Sequence, residues 1–345
     1  MYSVKELSYS EWQVQIQRCH KTNMLQFWQY GDAKAEKSNW NAVRFLIIRA
    51  DGSPVALAQV LSFNFPFFGG IARMNRGPMM IGDYENSQEL VKVFTALFEE
   101  FKKRWWILVQ IAPELNDLTL ANQFLIKFGL KKLSSTPYAS GFLSIIPSED
   151  QLLMSLKKKW RYSLRKAQNS NVNISIIDGS NANLEVLLKR YNELKEENEF
   201  SGIPDSLILS LSKQQKAKEW QFNIFIANTE NSISIESCCG ILVSIRHGDT
   251  TTYFIGISGE VGRELQVNYL LLWESILHAK NNGCVWFDIG GLDESTPKGI
   301  AHFKNGIKSE PYSLIGEWRG FILPWKSIKK KPSNSYSIKN AIFRK

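Results

Sequence analysis

No stretch of the 345 residues approaches the roughly 20 consecutive apolar positions that a membrane-spanning helix needs. The opening segment, Met1 to Trp12, lacks the apolar run of a secretory signal, so the expectation is a cytoplasmic protein. Cysteine is scarce. Cys19, Cys238, Cys239 and Cys284 fit neither a disulfide framework nor a zinc site. Cys238 and Cys239 fall in a strand-like run and read as reduced structural thiols. His20, His247, His278 and His302 form no pair at ligand spacing, so no metal is expected. No Ser-His-Asp or Cys-His pattern stands out, which argues against a covalent enzyme intermediate. Sustained heptads are also missing, so no coiled-coil arm is expected.

What is present is ordinary globular material: 44% apolar and 22% charged residues. The length predicts two domains. A net charge of +9 points to an anionic partner, or simply to solubility. Strands are expected at Val43–Ala50 and Val55–Ser62, around the turn Asp51-Gly52-Ser53-Pro54. Helical spacing of Leu90, Val93, Leu97 and Phe101 predicts a helix over 87–103, followed by a buried strand from Trp106 to Ile111. A helix near 117–128 and a strand near 139–145 complete this half. A basic helix over 156–168 follows, with Lys157, Arg161 and Arg165 on one face. Helices near 181–197 and 205–218 lead into strands at 222–227, 240–245 and 250–257, a helix over 264–280, a strand at 285–289 and a final strand from Tyr312 to Trp318.

The second half repeats the first. Positions 45 and 222 are both Phe in matching strands. Lys127-Phe128-Gly129-Leu130-Lys131 matches Lys304-Asn305-Gly306-Ile307-Lys308. Positions 45 and 222, like 129 and 306, differ by 177, which argues for duplication. The expected organisation is residues 1–150, residues 151–323, and a basic tail over 324–345 carrying Lys329-Lys330-Lys331 and Arg344-Lys345. Each half reads as an α/β (α+β) unit, a mixed sheet flanked by helices.

That element order is similar to the acetyltransferase (GNAT-like) fold. Four segments extend the likeness: Leu25 to Lys34 with Trp40; Arg76-Gly77-Pro78; Lys159 to Ala167; and the series Tyr253-Phe254-Ile255-Gly256, Leu270 to Glu274, Phe287 to Gly291, Phe303-Lys304 and Ile315-Gly316-Glu317. In this order they resemble the Fem family of non-ribosomal aminoacyl transferases. The resemblance implies two tandem GNAT-like domains, the first binding the acceptor. It implies no cofactor, aminoacyl-tRNA as donor and a UDP- or lipid-linked cell-envelope precursor as acceptor. Met80 and Ile81 stand where the family often has Asp, and Glu196–Pro204 lacks an expected arginine.

In that frame the catalytic candidates are Lys304, Phe303 and Tyr253. Aminolysis of an ester passes through an oxyanion that a positioned cation stabilises. Lys304 would supply the cation, Phe303 would pack the site and Tyr253 would donate a hydrogen bond. Lys127, the first-half equivalent of Lys304, is expected to be structural. Lys34 and Arg76 are candidates for binding acceptor phosphate, and Arg161 and Arg165 for binding nucleic-acid phosphate. Asp288 either orients the amine or caps the turn at Gly290-Gly291. Each has a plainer reading as a surface or packing residue. The tail offers contact with RNA or an anionic membrane. An acyl-CoA-dependent N-acyltransferase is the alternative, although neither long helix opens with the glycine spacing that holds a pyrophosphate. A non-catalytic RNA- or lipid-binding protein is the third reading.

Overall fold

Turn chemistry and alternating apolar residues set the strands. Asp51 Oδ1 accepts from the Ser53 amide at 2.9 Å and Gly52 takes φ 84°, reversing the chain where the sequence predicts. The computed structural model describes residues 2–36, 38–82, 87–116, 118–214, 219–229 and 233–322. Asp83 and the tail at 324–345, with its Lys329-Lys330-Lys331 and Arg344-Lys345, lie outside them. In the first half the elements are β1 (Ser3–Glu6), α1 (Tyr9–Ile16), α2 (Trp28–Glu36), β2 (Asn41–Ile48), β3 (Pro54–Phe65), β4 (Gly69–Asn75), β5 (Met79–Met80), α3 (Ser87–Lys103), β6 (Trp106–Ala112), α4 (Leu118–Leu125), β7 (Leu130–Lys132) and β8 (Ala139–Ser144). The second half adds α5 (Glu149–Ser155), α6 (Lys158–Asn169), β9 (Asn173–Ile177), α7 (Asn181–Glu197), α8 (Asp205–Lys213), β10 (Trp220–Asn228), β11 (Gly240–His247), β12 (Thr250–Ser258), α9 (Glu260–Glu264), α10 (Val267–Asn281), β13 (Trp286–Asp288), α11 (Lys298–Lys304), β14 (Glu310–Ser313) and β15 (Trp318–Phe321). Among the described residues no helix is long and apolar enough to cross a membrane.

The two mixed sheets have the same plan. The first runs β1-β2-β3-β4-β6-β15-β7, with β5 on β3; the second runs β9-β10-β11-β12-β13-β8-β14. Each half therefore gives one strand to the other. β15 inserts between β6 and β7, with Trp318 opposite Ile111 and Lys132. β8 inserts between β13 and β14, with Phe142 opposite Asp288 and Glu310. This corrects the expectation that the strand near 139–145 closes the first half. The single strand expected over 312–318 is likewise two, one in each sheet. An apolar alternation marks a strand but does not name its neighbour.

Smaller differences have local causes. The helix expected over 264–280 is broken at Gln266, which takes φ 61°, and splits into α9 and α10. Leu156 caps α5, so the basic helix starts only at Lys158. Cys238 and Cys239 lie in the loop before β11 rather than in a strand.

Packing follows the helical spacing. On α3, Val93, Phe94, Leu97, Phe98 and Phe101 are fully buried against the first sheet. Each such side chain contributes roughly 1.5–3 kcal/mol. α10 packs with α6 and the second sheet through Leu270, Leu271, Leu272, Trp273, Trp160 and Leu164. A third core joins the halves: Trp12 and Phe27 from the first pack with Leu184, Leu211 and Trp220 from the second.

Candidate active site

The two halves differ at their central parallel pair. β4 and β6 stay paired from Gly70 and Trp106 to Asn75 and Ala112. Their counterparts, β12 and β13, pair only over Thr250–Thr252 and Trp286–Asp288. Beyond that point β13 stops and β12 continues to Ser258 along β11, with a bulge opposite Val243/Ser244. β12 and β13 therefore part beyond the carboxyl end of β13, the position in the second sheet where such folds bind ligands.

Lys304, the last residue of α11, reaches the point where these two strands part. Its Nζ lies 3.0 Å from the Gly291 carbonyl and 4.8 Å from the centre of the Tyr253 ring. It is 5% exposed. Burial pulls its pKa down to about 8, against the opposing pull of Asp288 and Asp293. The room is made by Gly290, which takes φ 72°; a Cβ there would sit 2.7 Å from the Tyr253 carbonyl and 3.3 Å from Lys304 Nζ. Burial also raises the Tyr253 phenol to about 12, so it remains a neutral donor. By contrast Lys127 is exposed on the surface.

Phe303 faces away from Lys304. Its ring stacks on Trp160 at 6.1 Å and meets Tyr269 edge-on at 5.0 Å, and Trp160 Nε1 donates to its carbonyl at 3.0 Å. It anchors α11 to the basic helix α6. Gly306 permits this, because a Cβ there would lie 2.2 Å from the Trp160 ring.

Asp288 ends β13 and is 2% exposed. Its carboxylate accepts from Ser140 Oγ, from the Gly290 amide at 2.9 Å and from the Tyr312 hydroxyl at 2.8 Å. It caps the Gly290-Gly291 turn. Arg76, at the end of β4, comes within 3.8 Å of it from the first half. Arg76 also donates to both Glu114 oxygens at 2.6 and 2.5 Å and to the Tyr312 oxygen at 2.9 Å. Burial opposes its charge, but Glu114 outweighs burial and holds its pKa above the ordinary arginine range. Its backbone takes φ 53°, a conformation rare outside glycine and common at functional sites. Arg76, Glu114, Asp288, Tyr138 and Tyr312 thus form a buried polar junction between the halves, beside Lys304. Of these, sequence reasoning missed Glu114, Tyr138, Tyr312 and Ser140.

Lys34 lies in a separate groove of about 310 Å³ with Tyr30, Trp40, Arg73, Asn75 and Ser206. Burial and the nearby Arg73 lower its pKa. Lys34 and Arg73 give the groove two cations, suited to an anion such as phosphate, although Glu317 pairs with Arg73 at 3.4 Å. Arg73 lies in β4, three residues before Arg76, which follows the end of that strand. It was also missed, although Ile71, Arg73 and Asn75 alternate onto one face of β4.

Among the described residues, Arg161 and Arg165 make no hydrogen bond with Lys304, Tyr253 or Asp288. Arg161 donates to the Met154 carbonyl at 2.6 Å, and Arg165 is exposed with Lys157, Lys158 and Lys159. Their helix buries Trp160, Leu164 and Ala167 and turns its cations to solvent. It joins the Lys304 segment through Trp160 against Phe303 and Gly306 and through the Lys157 amide, which donates to the Gly306 carbonyl at 2.9 Å. Among the described residues no cluster of three or more His, Cys, Asp or Glu could hold a metal ion.

The FemAB family model matches residues 188–332. Among solved structures, the crystal structure of FemX is similar over 93% of this chain and 98% of its own, at 17% identity and TM-score 0.74. A tandem GNAT protein from the clavulanic acid biosynthesis pathway is similar over 94% and 100%, at 9% identity and TM-score 0.56. L-PGS from Bacillus licheniformis is similar over 94% of each chain, at 10% identity and TM-score 0.52. No curated protein matches the chain in sequence. Residues 188–332 carry the FemAB family signature, and the chain as a whole has the tandem GNAT-like fold of the Fem type.

Proposed function

We propose that the protein is an aminoacyltransferase that moves an amino acid from aminoacyl-tRNA to the amine of a peptidoglycan precursor or similar cell-envelope acceptor. The observation that carries this reading is Lys304, buried where β12 and β13 part, with its Nζ 3.0 Å from the Gly291 carbonyl and over the Tyr253 ring. The FemAB match lies over the same half.

In the reaction the acceptor amine attacks the ester carbonyl. The carbonyl oxygen becomes an oxyanion, the tetrahedral centre collapses, and the ribose oxygen leaves. One proton passes overall from the amine to that oxygen. Lys304 is the cation for the oxyanion and Tyr253 a neutral donor beside it. The Lys34–Arg73 groove takes a phosphate of the acceptor, and the exposed cations of α6 meet the tRNA backbone. An acyl-CoA donor fits less well. α10 opens on Gln266, Val267 and Asn268, and the Asn268 side chain is engaged with Ser258 Oγ at 2.9 Å.

Purified protein is expected to transfer an amino acid from charged tRNA to a UDP- or lipid-linked muropeptide. Transfer from acyl-CoA with no use of charged tRNA would overturn the donor assignment. In the same assay Lys34→Ala should raise the acceptor KM about tenfold or more and leave kcat nearly unchanged, as expected when uniform binding is lost. A fall in kcat alone would remove Lys34 from the acceptor groove.

A further inference from the structure

The end of the first sheet farthest from the active centre carries a cluster of exposed aromatics. The β3–β4 hairpin turns through Pro66, Phe67 and Phe68, with Phe65 opposite Gly69. Phe67 is 98% exposed, Phe68 77% and Phe65 45%. Trp105, 54% exposed, adjoins them, its carbonyl accepting from the Gly70 amide at 2.7 Å.

Two of these side chains stand where backbone geometry favours glycine. Phe67 takes φ 68° in its turn, and Trp105 takes φ 59° just beyond the end of α3. Each placement is strained for a bulky residue, and neither aromatic is needed to fill a core. Exposed apolar surface of this kind marks an interaction site.

The cluster is continuous with the acceptor groove. Phe63, Ile71, Leu108 and Phe321 are paired neighbours across β3, β4, β6 and β15, so they share one face of the sheet. The next row on that face is Leu61, Arg73, Gln110 and Arg319. Trp40, which lines the groove, meets Phe63 at 6.2 Å, and Phe63 meets Phe65 at 4.7 Å. The face runs from an apolar tip, through an apolar row, to Arg73 and Arg319, with Glu317 paired to Arg73 at 3.4 Å. That order matches an amphiphile lying with its tail toward the tip and its phosphate at Lys34 and Arg73.

We propose that Phe65, Phe67, Phe68 and Trp105 insert into the interfacial layer of a lipid bilayer and seat the acceptor groove at the membrane surface. A convex three-residue turn with outward rings suits the headgroup–acyl boundary. The neighbouring cations are largely neutralised: Lys102 pairs with Glu99, and Arg104 with Glu100 and Glu6. Insertion at this tip is therefore apolar in character and does not require anionic lipid. Presentation of a lipid-linked acceptor to the groove rests on the function proposed above; the docking itself does not.

The test is sedimentation of the full chain with phosphatidylcholine vesicles, with and without phosphatidylglycerol. The wild type is expected to bind both. The double variant Phe67→Ser/Phe68→Ser should partition at least about tenfold more weakly to both, with an unchanged melting temperature. Its transfer to a water-soluble UDP-linked acceptor should be unaffected, while transfer to a lipid-linked acceptor in vesicles should fall. Equal binding by variant and wild type, or no vesicle binding by the wild type, overturns the proposal. So does self-association in place of vesicle binding, abolished by the same substitutions, which would assign the tip to a second copy of the chain. Vesicle binding is read without any transfer assay, so an inactive protein tests it equally well.

Discussion

Lys304→Met is expected to lower transfer by about 10²–10³ while making the folded protein more stable. The loss follows from removing the cation proposed to face the forming oxyanion. The gain follows from the pKa. Lys304 sits at about 8 when folded, below the ordinary lysine value, because burial disfavours its charge. Below pH 8 the lysine is charged in both folded and unfolded chains, and the burial penalty is felt in full. Between pH 8 and roughly 10.5 the unfolded chain binds more protons, so stability rises with pH; above that the penalty is gone. Methionine carries no such penalty, so the variant should be more stable at pH 7 by on the order of 1–3 kcal/mol, read from urea unfolding. Activity gives a second signature. Deprotonating a cationic Lys304 should produce an alkaline limb near pH 8 in kcat, and the variant's residual activity should lack it. A structural lysine would instead give a variant that is less stable and still active. A wild-type rate that climbs through pH 8 without turning down would reject the cationic role.

How the site could be read in sequence depends on which residues carry local patterns. Lys304 ends α11, Asp288 ends β13 and Tyr253 lies within β12, and the three come together where β12 and β13 part. The 177-residue repeat also has a structural counterpart: β4 and β6 stand where β12 and β13 stand, and α3 where α10 stands. Yet the repeat says nothing about which pair opens, because that depends on where β13 ends and where β12 bulges. Glu114, Tyr138 and Tyr312 were invisible for another reason. Tyr312 meets Arg76 across 236 residues of chain, and such a contact leaves no periodic trace. Phe303 was read as part of the reacting centre because it adjoins Lys304, but neighbouring helical residues point in different directions. The basic face of α6 was legible from its four-residue spacing, whereas its separation from Lys304 was not.

A chain cut after residue 150 is expected to yield two fragments that do not fold alone. The first would lack β15, which lies between β6 and β7 and pairs with both. It would also carry β8 with no partner, since β8 pairs with β13 and β14. An unpaired apolar strand of this kind promotes aggregation. The second fragment would lose β8 from the middle of its own sheet, beside the β13 end that holds Asp288. The cut would also open the shared core, parting Phe27 from Trp220, whose rings stack at 6.2 Å. Burying each such side chain is worth roughly 1.5–3 kcal/mol, while a whole domain is stable by only about 5–15 kcal/mol. Several losses of this size exceed what either half could retain. Separate fragments should therefore lack the near-ultraviolet circular dichroism and sharp thermal transition of the intact chain, and co-expression should restore both. A fragment of residues 1–150 that melts cooperatively by itself would show that strand exchange contributes little. If the fragments fail alone and recover together, the two halves are one folding unit, and the Arg76–Asp288 junction forms only when both are present.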